Sequence, residues 1–207
     1  MEETIHLTAG QLVHGRPFTD PVHNAEDLSA IRLMASSLRP LLAQPLTDER
    51  RPFLIPVPTA SGRQHRVAIS NVPPLRAHRD LSFVGFFAKR RPGVDLSLLT
   101  VADDEMIQEL PSFPGILSYS SLELADGNWA NLIMVDPPEA KDHWRTSEKH
   151  AFAAREMAPK YYAIVRIHNG VFPGGLVSGR DPIVLRTKYY DFQDLEPWRA
   201  ERVFSLA

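Results

Sequence analysis

The chain has 207 residues, of which 43% are hydrophobic and 23% charged, and its formal net charge is -2. This composition is typical of a globular protein, and so small a net charge argues against binding to nucleic acid or to an anionic membrane. There are no cysteines, which excludes disulfides, thiolate metal sites and cysteine nucleophiles. No run reaches the roughly 18 apolar residues of a membrane span, and the acidic start "MEET" is unlike a signal peptide, so we expect a cytoplasmic protein.

Residues 1–79 differ from the rest, since they hold nine of the 18 prolines and five of the eight histidines. Apolar side chains at intervals of three and four predict a helix over 24–44, with Asn24 as its N-cap. The runs "PFLIPVP" and "HRVAISNVP" predict short strands, whose prolines favour the edge of a sheet. The resulting order of strand, helix and two strands over 4–72 indicates either a degenerate first half of a tandem pair or, as we favour, an elaboration of a single module.

Residues 80–170 show the clearest succession of elements. The predicted elements are a strand at 81–89, a helix at 100–110, strands at 116–124 and 129–135, a helix at 137–157 and a strand at 161–170. Thr100 is the expected cap of the first of these helices, and Asp126-Gly127 predicts a tight hairpin turn. The order β-α-β-β-α-β is that of a split βαβ unit, so the predicted fold class is α+β, ferredoxin-like. One further strand is expected at 182–190.

The runs "FVGFFA", "FPGILSYSS", "NWANLIMV" and "HWRTSEKHA" resemble the dimeric α/β-barrel superfamily, which includes the antibiotic-biosynthesis monooxygenases. In that family a proline-glycine pair precedes the second strand, a tryptophan lies on the third strand and a histidine lies on the second helix. The matching positions here are Pro114 and Gly115, Trp129, and His143 or His150. The resemblance covers about residues 80–170.

This resemblance implies a ferredoxin-like α/β-barrel module at 80–207, preceded by an elaboration at 1–79, and a homodimer in which two sheets pack face to face. It also implies a small-molecule enzyme of the monooxygenase-like class, which acts on a small aromatic or polyketide-like compound without a cofactor. A non-catalytic small-molecule-binding or stress-response protein is the alternative. Haem binding through His143 or His150 is a third, although the strand at 81–89 lacks the asparagine that haem-degrading members carry.

The two histidines of the predicted second helix are the candidate catalytic residues. His143, Ser147, His150, Ala154 and Met157 recur at helical spacing and would lie on one stripe. Seven residues separate the two imidazoles by about 10.5 Å along a helix, so they do not share a metal ion, and we predict no metal site there. Each is either an acid-base or hydrogen-bonding group in a pocket or a partly exposed surface histidine.

The candidate ligand-binding residues lie on the predicted strands. Trp129 would either line a pocket or fill the core. Tyr119, on the face of its strand opposite Ser118 and Ser120, is a further ligand-binding candidate. Period-two alternation places Tyr162, Ile164, Arg166 and His168 on one face of the last strand. An arginine in mid-strand lies at a solvated or dimer-facing surface or binds an anion or carboxylate, because burying an unpaired charge is costly.

A basic cluster interrupts this otherwise acidic chain. It consists of Arg63, Arg66, Arg76, Arg79, Lys89, Arg90 and Arg91, against the single acid Asp80. The cluster is either a solvated, acid-paired surface or a site for an anion. No nucleic-acid-binding motif accompanies it, so we favour the first interpretation and predict no nucleic-acid partner.

Overall fold

The strand-forming runs pair into one mostly antiparallel sheet flanked by helices. The computed structural model describes residues 4–44, 52–95, 97–194 and 196–204. Its strands are β1 (Ile5–Leu7), β2 (Phe53–Pro56), β3 (His65–Ile69), β4 (Leu81–Arg90), β5 (Ile116–Glu123), β6 (Trp129–Val135), β7 (Tyr162–Phe172), β8 (Ile183–Asp191) and β9 (Trp198–Val203). Its helices are α1 (Val22–Leu42), α2 (Val72–Leu75), α3 (Ser97–Glu109), α4 (Ala140–Trp144), α5 (Glu148–Phe152) and α6 (Ala158–Tyr161). The architecture is therefore α+β.

Within the described residues the sheet has nine strands in the order β1-β9-β8-β7-β4-β6-β5-β3-β2. β1 runs parallel to β9, and every other neighbouring pair is antiparallel. The four strands predicted for residues 80–170 lie side by side, with β4 between β6 and β7. The predicted succession of strand, helix, two strands, helical segment and strand is observed in a sheet much larger than four strands.

The hairpin between β5 and β6 turns at Asp126-Gly127, as predicted. Gly127 has a φ of 76°, a left-handed conformation that favours glycine. Its N–H donates to the Leu124 carbonyl at 3.0 Å, and the Leu124 N–H donates to the Asn128 carbonyl at 2.8 Å. The Asp126 carboxylate accepts the Asn128 N–H at 3.0 Å and so holds the turn from its own side chain.

The single helix predicted over 137–157 is wrong. The chain forms α4, leaves helical geometry at Ser147, and starts again as α5. Ser147 is extended, with φ -60° and ψ 143°, and its Oγ accepts the His150 N–H at 3.0 Å. A serine that can cap a helix offers the backbone this alternative to continuing one. Beyond α5 a π-helical turn, Ala153–Met157, changes the helical period again. The predicted stripe from His143 to Met157 therefore does not form.

Both N-cap predictions are wrong for a shared reason. α3 begins at Ser97, so Thr100 lies inside it, and the Asp95 carboxylate accepts the Ser97 N–H at 2.9 Å. α1 likewise begins before Asn24, and the Asp20 carboxylate accepts an amide of its first turn at 2.9 Å. In each case an aspartate nearer the N-terminus supplies the acceptor that the free amides of a helix start require.

The elements of residues 4–72 add to the same sheet instead of forming one of their own. β1 pairs with β9 at one edge, and β2 and β3 extend the other edge beside β5. β2 is an edge strand, as its prolines predicted, whereas β3 is internal. The N-terminal strands thus widen the sheet at both edges.

α1 covers one face of the sheet and forms the largest core with it. Ile31, Met34, Ala35, Leu38 and Leu42 of α1 pack with Phe83 and Phe87 of β4, Leu132 and Met134 of β6, and Val67 and Ile69 of β3. α1 therefore buries the part of this face that β3, β4 and β6 form. The expected packing of two sheets face to face stays a prediction.

The opposite face carries α3 and α4. Ile107 of α3, Leu110 in the turn that follows it and Trp144 of α4 pack against Tyr119 of β5 and Ile133 of β6. This contact is close at Gly115, where an added Cβ would lie 2.3 Å from the Cβ of Ala140. Gly115 therefore allows α4 to pack directly against the start of β5.

Candidate functional site

A cavity of about 980 Å³ lies between the sheet and the helices α3 to α6, on the face opposite α1. Its floor is formed by side chains of β4, β6, β7 and β8, including Val84, Ile133, Val165, Ile167 and Tyr190. Its helical walls include Met106, Trp144, His150, Ala153 and Met157. We call this space the larger cavity. The lining surface is mainly apolar. Charged side chains also reach it, namely those of Asp103, Lys141, Asp142, Arg145, Arg186 and Lys188.

One group of polar side chains is centred on Tyr119. The Tyr119 hydroxyl donates to Asp103 Oδ1 at 2.5 Å and accepts a short hydrogen bond from the Asn131 amide. Burial, together with the charge and hydrogen bond of Asp103, raises the pKa of Tyr119 well above its ordinary value. Tyr119 is therefore a neutral phenol at physiological pH. Its hydroxyl hydrogen is used in the bond to Asp103, so it is not available to donate to a ligand.

Tyr162 faces the same cavity because of an irregularity in β7. The register between β4 and β7 shifts between Lys89 and Arg90, which pair with Ile164 and Tyr162. The extra residue turns the Tyr162 side chain to the opposite face from Ile164, where its ring packs on Phe86 at 5.6 Å between centroids. The prediction that Tyr162 shares a face with Ile164, Arg166 and His168 is therefore wrong.

Tyr162 is also a neutral phenol. Burial, with a further contribution from the charge of Asp103, raises its pKa to about 12, although Arg90 acts in the opposite direction. Among the described residues no hydrogen bond to the Tyr162 hydroxyl is formed. A protonated hydroxyl without a partner can donate to an oxygen of a bound molecule.

The structure separates the two candidate catalytic histidines. His150 is half-buried in the wall of the larger cavity, with its ring edge-on to Trp144 at 5.0 Å. Burial lowers its pKa, and the nearby charge of Arg145 lowers it further. His143 is exposed on α4, contacts the edge of Phe113 at 5.5 Å and lines neither cavity described here. The two imidazoles therefore have different surroundings.

A second cavity, of about 810 Å³, adjoins the larger one. The two share Leu99, Asp103, Asn131 and Tyr162 as lining residues. Trp129 lines the second cavity, so the structure does not bring Trp129 and His143 together at one end of a pocket. Its other lining residues include the segment at 57–64 and three arginines of the basic cluster, Arg63, Arg66 and Arg90.

The arginines of the second cavity differ in their partners. Arg66 donates to Asp104 Oδ1 at 2.7 Å and makes a shorter contact with Asp103. Arg63 bonds to Ser61 Oγ at 2.7 Å, and Arg90 to the Gly127 carbonyl. In the described part of the chain neither Arg63 nor Arg90 has a carboxylate within ion-pair distance. Only part of the cluster is thus the acid-paired surface that the sequence favoured.

The remaining candidates, Arg166 and His168, lie on the face that α1 covers. Arg166 makes a bidentate ion pair with Asp27 at 2.7 and 2.8 Å. His168 Nε2 lies 2.8 Å from the same carboxylate, and its Nδ1 lies 2.8 Å from Thr187 Oγ1. The sequence left open whether Arg166 lies at an exposed surface or binds an anion or carboxylate, and in the structure it binds the Asp27 carboxylate. Neither residue lines the larger or the second cavity, and their bonds to Asp27 hold α1 against β7.

The predicted site residues thus divide among several places, with Tyr119 and His150 at the larger cavity and Trp129 at the second. The sequence interpretation missed Asp103, Asn131 and Tyr162, which line both cavities. Asn131 and Trp129 share one face of β6 by alternation, so a period-two pattern applied there could have found Asn131.

No group of three or more His, Asp or Glu side chains within the described ranges is placed to hold a metal ion. Those ranges also contain no helix long and apolar enough to span a membrane.

No protein-family model matches the chain, and no curated protein matches it. One solved structure with some similarity is the crystal structure of protein SO0527 from Shewanella oneidensis. The two chains are 14% identical, and the match covers 46% of this chain and 94% of that chain, with a TM-score of 0.38. A similarity at this level supports no statement about family or activity.

Proposed function

We propose that this protein binds a small, largely apolar organic compound in the larger cavity. The supporting observation is the cavity itself, whose volume of about 980 Å³ lies at the upper end of the range of about 300–1,000 Å³ for ligand sites. Apolar walls with a few polar groups are the usual composition of such sites. We further propose that β4 to β7, with α3 to α6, form a ferredoxin-like module whose helical face holds this cavity.

Two polar groups are suited to orient the compound. Tyr162 is a neutral phenol without a partner among the described residues, so it can donate a hydrogen bond to a ligand oxygen. His150 has a lowered pKa, so it is largely neutral at physiological pH and can accept a hydrogen bond or a proton. A hydroxyl or carbonyl group on an aromatic ring would suit this pair.

The cavity-filling variant Ala153→Trp tests the binding proposal. Ala153 lines the larger cavity, so an indole at this position should exclude a bound compound. We expect it to reduce binding of 2-naphthamide, measured by equilibrium dialysis, at least about tenfold. Ala25→Trp is the matched control, because Ala25 is exposed on α1 and lines neither cavity. Equal binding to the parent and to Ala153→Trp would contradict the proposal, as would a parent that does not bind the probe.

The catalytic form of this proposal is a monooxygenase-like enzyme that acts on a small aromatic or polyketide-like compound. The observation that favours it is a neutral imidazole in the wall of an apolar cavity, where it could take the proton of an acidic hydroxyaromatic. Oxygen uptake with 1-naphthol as the probe should then exceed the rate without protein and fall strongly in His150→Gln. Binding without oxygen uptake would favour the non-catalytic form, a binding or stress-response protein.

A further inference from the structure

The second cavity concentrates positive charge that the described residues do not fully neutralise. Three guanidinium groups line it, and one of them, that of Arg66, binds the carboxylates of both Asp103 and Asp104. Arg63 and Arg90 are half-buried, and their described partners, Ser61 Oγ and the Gly127 carbonyl, are neutral. A partly desolvated guanidinium with only neutral partners attracts an anion strongly, because its charge is less screened than at an open surface.

The single acidic side chain in the described wall of this cavity does not cancel that attraction. Asp103 is engaged by Arg66 on one side and by the Tyr119 hydroxyl on the other. Its negative charge is therefore compensated where the two cavities meet. The local excess of charge belongs to Arg63 and Arg90, on the side of the cavity that the segment at 57–64 and the end of β4 form.

The two cavities are neighbouring parts of one site. Leu99, Asp103, Asn131 and Tyr162 line both of them, so a single molecule can extend from one into the other. The surface of the larger cavity is mainly apolar, and the two arginines among its cationic lining residues, Arg145 and Arg186, are paired with Asp142 and Glu201. The second cavity is lined by Trp129 and by Arg63 and Arg90, whose described partners are neutral. This arrangement matches an amphipathic molecule, with an apolar body at one end and a negatively charged group at the other.

We propose that the second cavity is an oxyanion subsite, in which Arg63 and Arg90 bind a carboxylate or phosphate group of the compound whose apolar body occupies the larger cavity. This inference rests on the proposed function, because it assigns the body of the ligand to the larger cavity. Guanidinium groups bind carboxylates and phosphates through the same paired N–H donors, so the subsite accommodates either chemistry.

Three probes with one ring system test the subsite: 2-naphthoate, 2-naphthyl phosphate and the neutral 2-naphthamide. At low salt, we expect at least one anionic probe to bind the parent about tenfold more tightly than the amide does. The anion that shows the preference identifies the ligand as a carboxylic acid or a phosphate ester. The preference should shrink at high salt, because ions screen the guanidinium charge.

Arg63→Met is the deciding variant, because Arg63 lies on a loop where methionine keeps an apolar stem without the charge. It should reduce the preference for the anionic probe about tenfold and change 2-naphthamide binding less than about twofold. Arg90→Met should act in the same direction, although it also removes a bond to the Gly127 carbonyl. Arg180→Met is the matched control, since Arg180 is exposed and lines neither cavity.

The outcomes separate the two proposals. If the parent binds 2-naphthamide as tightly as both anions, and Arg63→Met changes nothing, the oxyanion subsite is overturned and the apolar cavity remains. If no probe binds the parent, the proposed function fails and the subsite fails with it. A preference for the anion that survives in both Arg63→Met and Arg90→Met would also overturn the subsite, because the charge would then come from elsewhere.

Discussion

Arg166 of β7 and Asp27 of α1 form a bidentate ion pair across 139 residues of chain, with nitrogen to oxygen distances of 2.7 and 2.8 Å. His168 contacts the same carboxylate from two residues further along the strand. The Asp27 side chain is only 5% exposed. The pair therefore joins the N-terminal helix to the centre of the sheet through a buried, fully engaged carboxylate.

Asp27→Asn should be strongly destabilising. It leaves the Arg166 guanidinium without its counter-charge in a buried place, and breaking a buried pair in this way costs about 3–5 kcal/mol. Urea unfolding of the parent and the variant measures the loss. Asp181→Asn is the matched control, because it breaks the Arg32–Asp181 pair between the same helix and an exposed loop, where the cost should be below about 1 kcal/mol. Similar losses in the two variants would contradict a special role for the buried pair.

The same carboxylate should make stability depend on pH. Burial raises the pKa of Asp27, but the hydrogen bonds and charges of His168 and Arg166 outweigh that effect and hold it below its ordinary value of 3.8. A carboxyl group with a lowered pKa in the folded state contributes stability above pH 3.8 and loses it as the pH falls through the folded value. The difference in unfolding free energy between the parent and Asp27→Asn should therefore be constant above about pH 5 and shrink below pH 3.8. If this difference in unfolding free energy grows as the pH falls, the pKa of Asp27 is not lowered in the folded state.

Gly127→Val should destabilise the hairpin between β5 and β6. A branched residue is strained at a φ of 76°, and its Cβ would lie 3.2 Å from Arg90 Nη2, so we expect a loss of about 1 kcal/mol or more. Gly10→Val is the control, since Gly10 does not have a positive φ and has open space around it. Melting temperatures that are equal for Gly127→Val and the parent would contradict this account of the turn.

Local signals were sufficient to predict the middle of the sheet. β4, β5, β6 and the greater part of β7 fall where runs of branched and aromatic residues predicted strands, and the Asp126-Gly127 turn fixes how β5 and β6 pair. These features depend on residues close together in sequence, so a pattern of period two with one turn signal identifies them.

The placement of the site depended on less local causes. The partner of Arg166 lies 139 residues away, and no pattern within a strand identifies it. The bulge beside Ala163 turns the Tyr162 side chain to the other face of the sheet, because side chains alternate between the faces only while the register of a strand is continuous. At Ser147 a local hydrogen bond to the backbone competed with helix continuation, and it separated His143 from His150.

Tyr162 should remain protonated in strongly alkaline solution. Its pKa of about 12 predicts that Tyr162→Phe leaves the alkaline rise in phenolate absorbance unchanged up to about pH 11, provided the protein remains folded. Circular dichroism at each pH establishes that condition. Loss of an early step in the titration of Tyr162→Phe would mean that the phenol is solvated, and its assignment as a neutral hydrogen-bond donor in the cavity would fail.

The two histidines provide the most direct test of where the ligand binds. His150 lines the larger cavity and His143 does not, so His150→Ala should weaken 2-naphthamide binding about tenfold, while His143→Ala should leave it within about twofold. Both variants should fold, because His143 is exposed and His150 loses one aromatic contact with Trp144, worth about 0.5–1.5 kcal/mol. Burial, reinforced by Arg145, lowers the pKa of His150, so binding to the parent should persist when the pH falls just below 6.5, the ordinary pKa of a histidine. A loss of binding in His143→Ala but not in His150→Ala would place the ligand beside the exposed His143 and would contradict the larger cavity as its site.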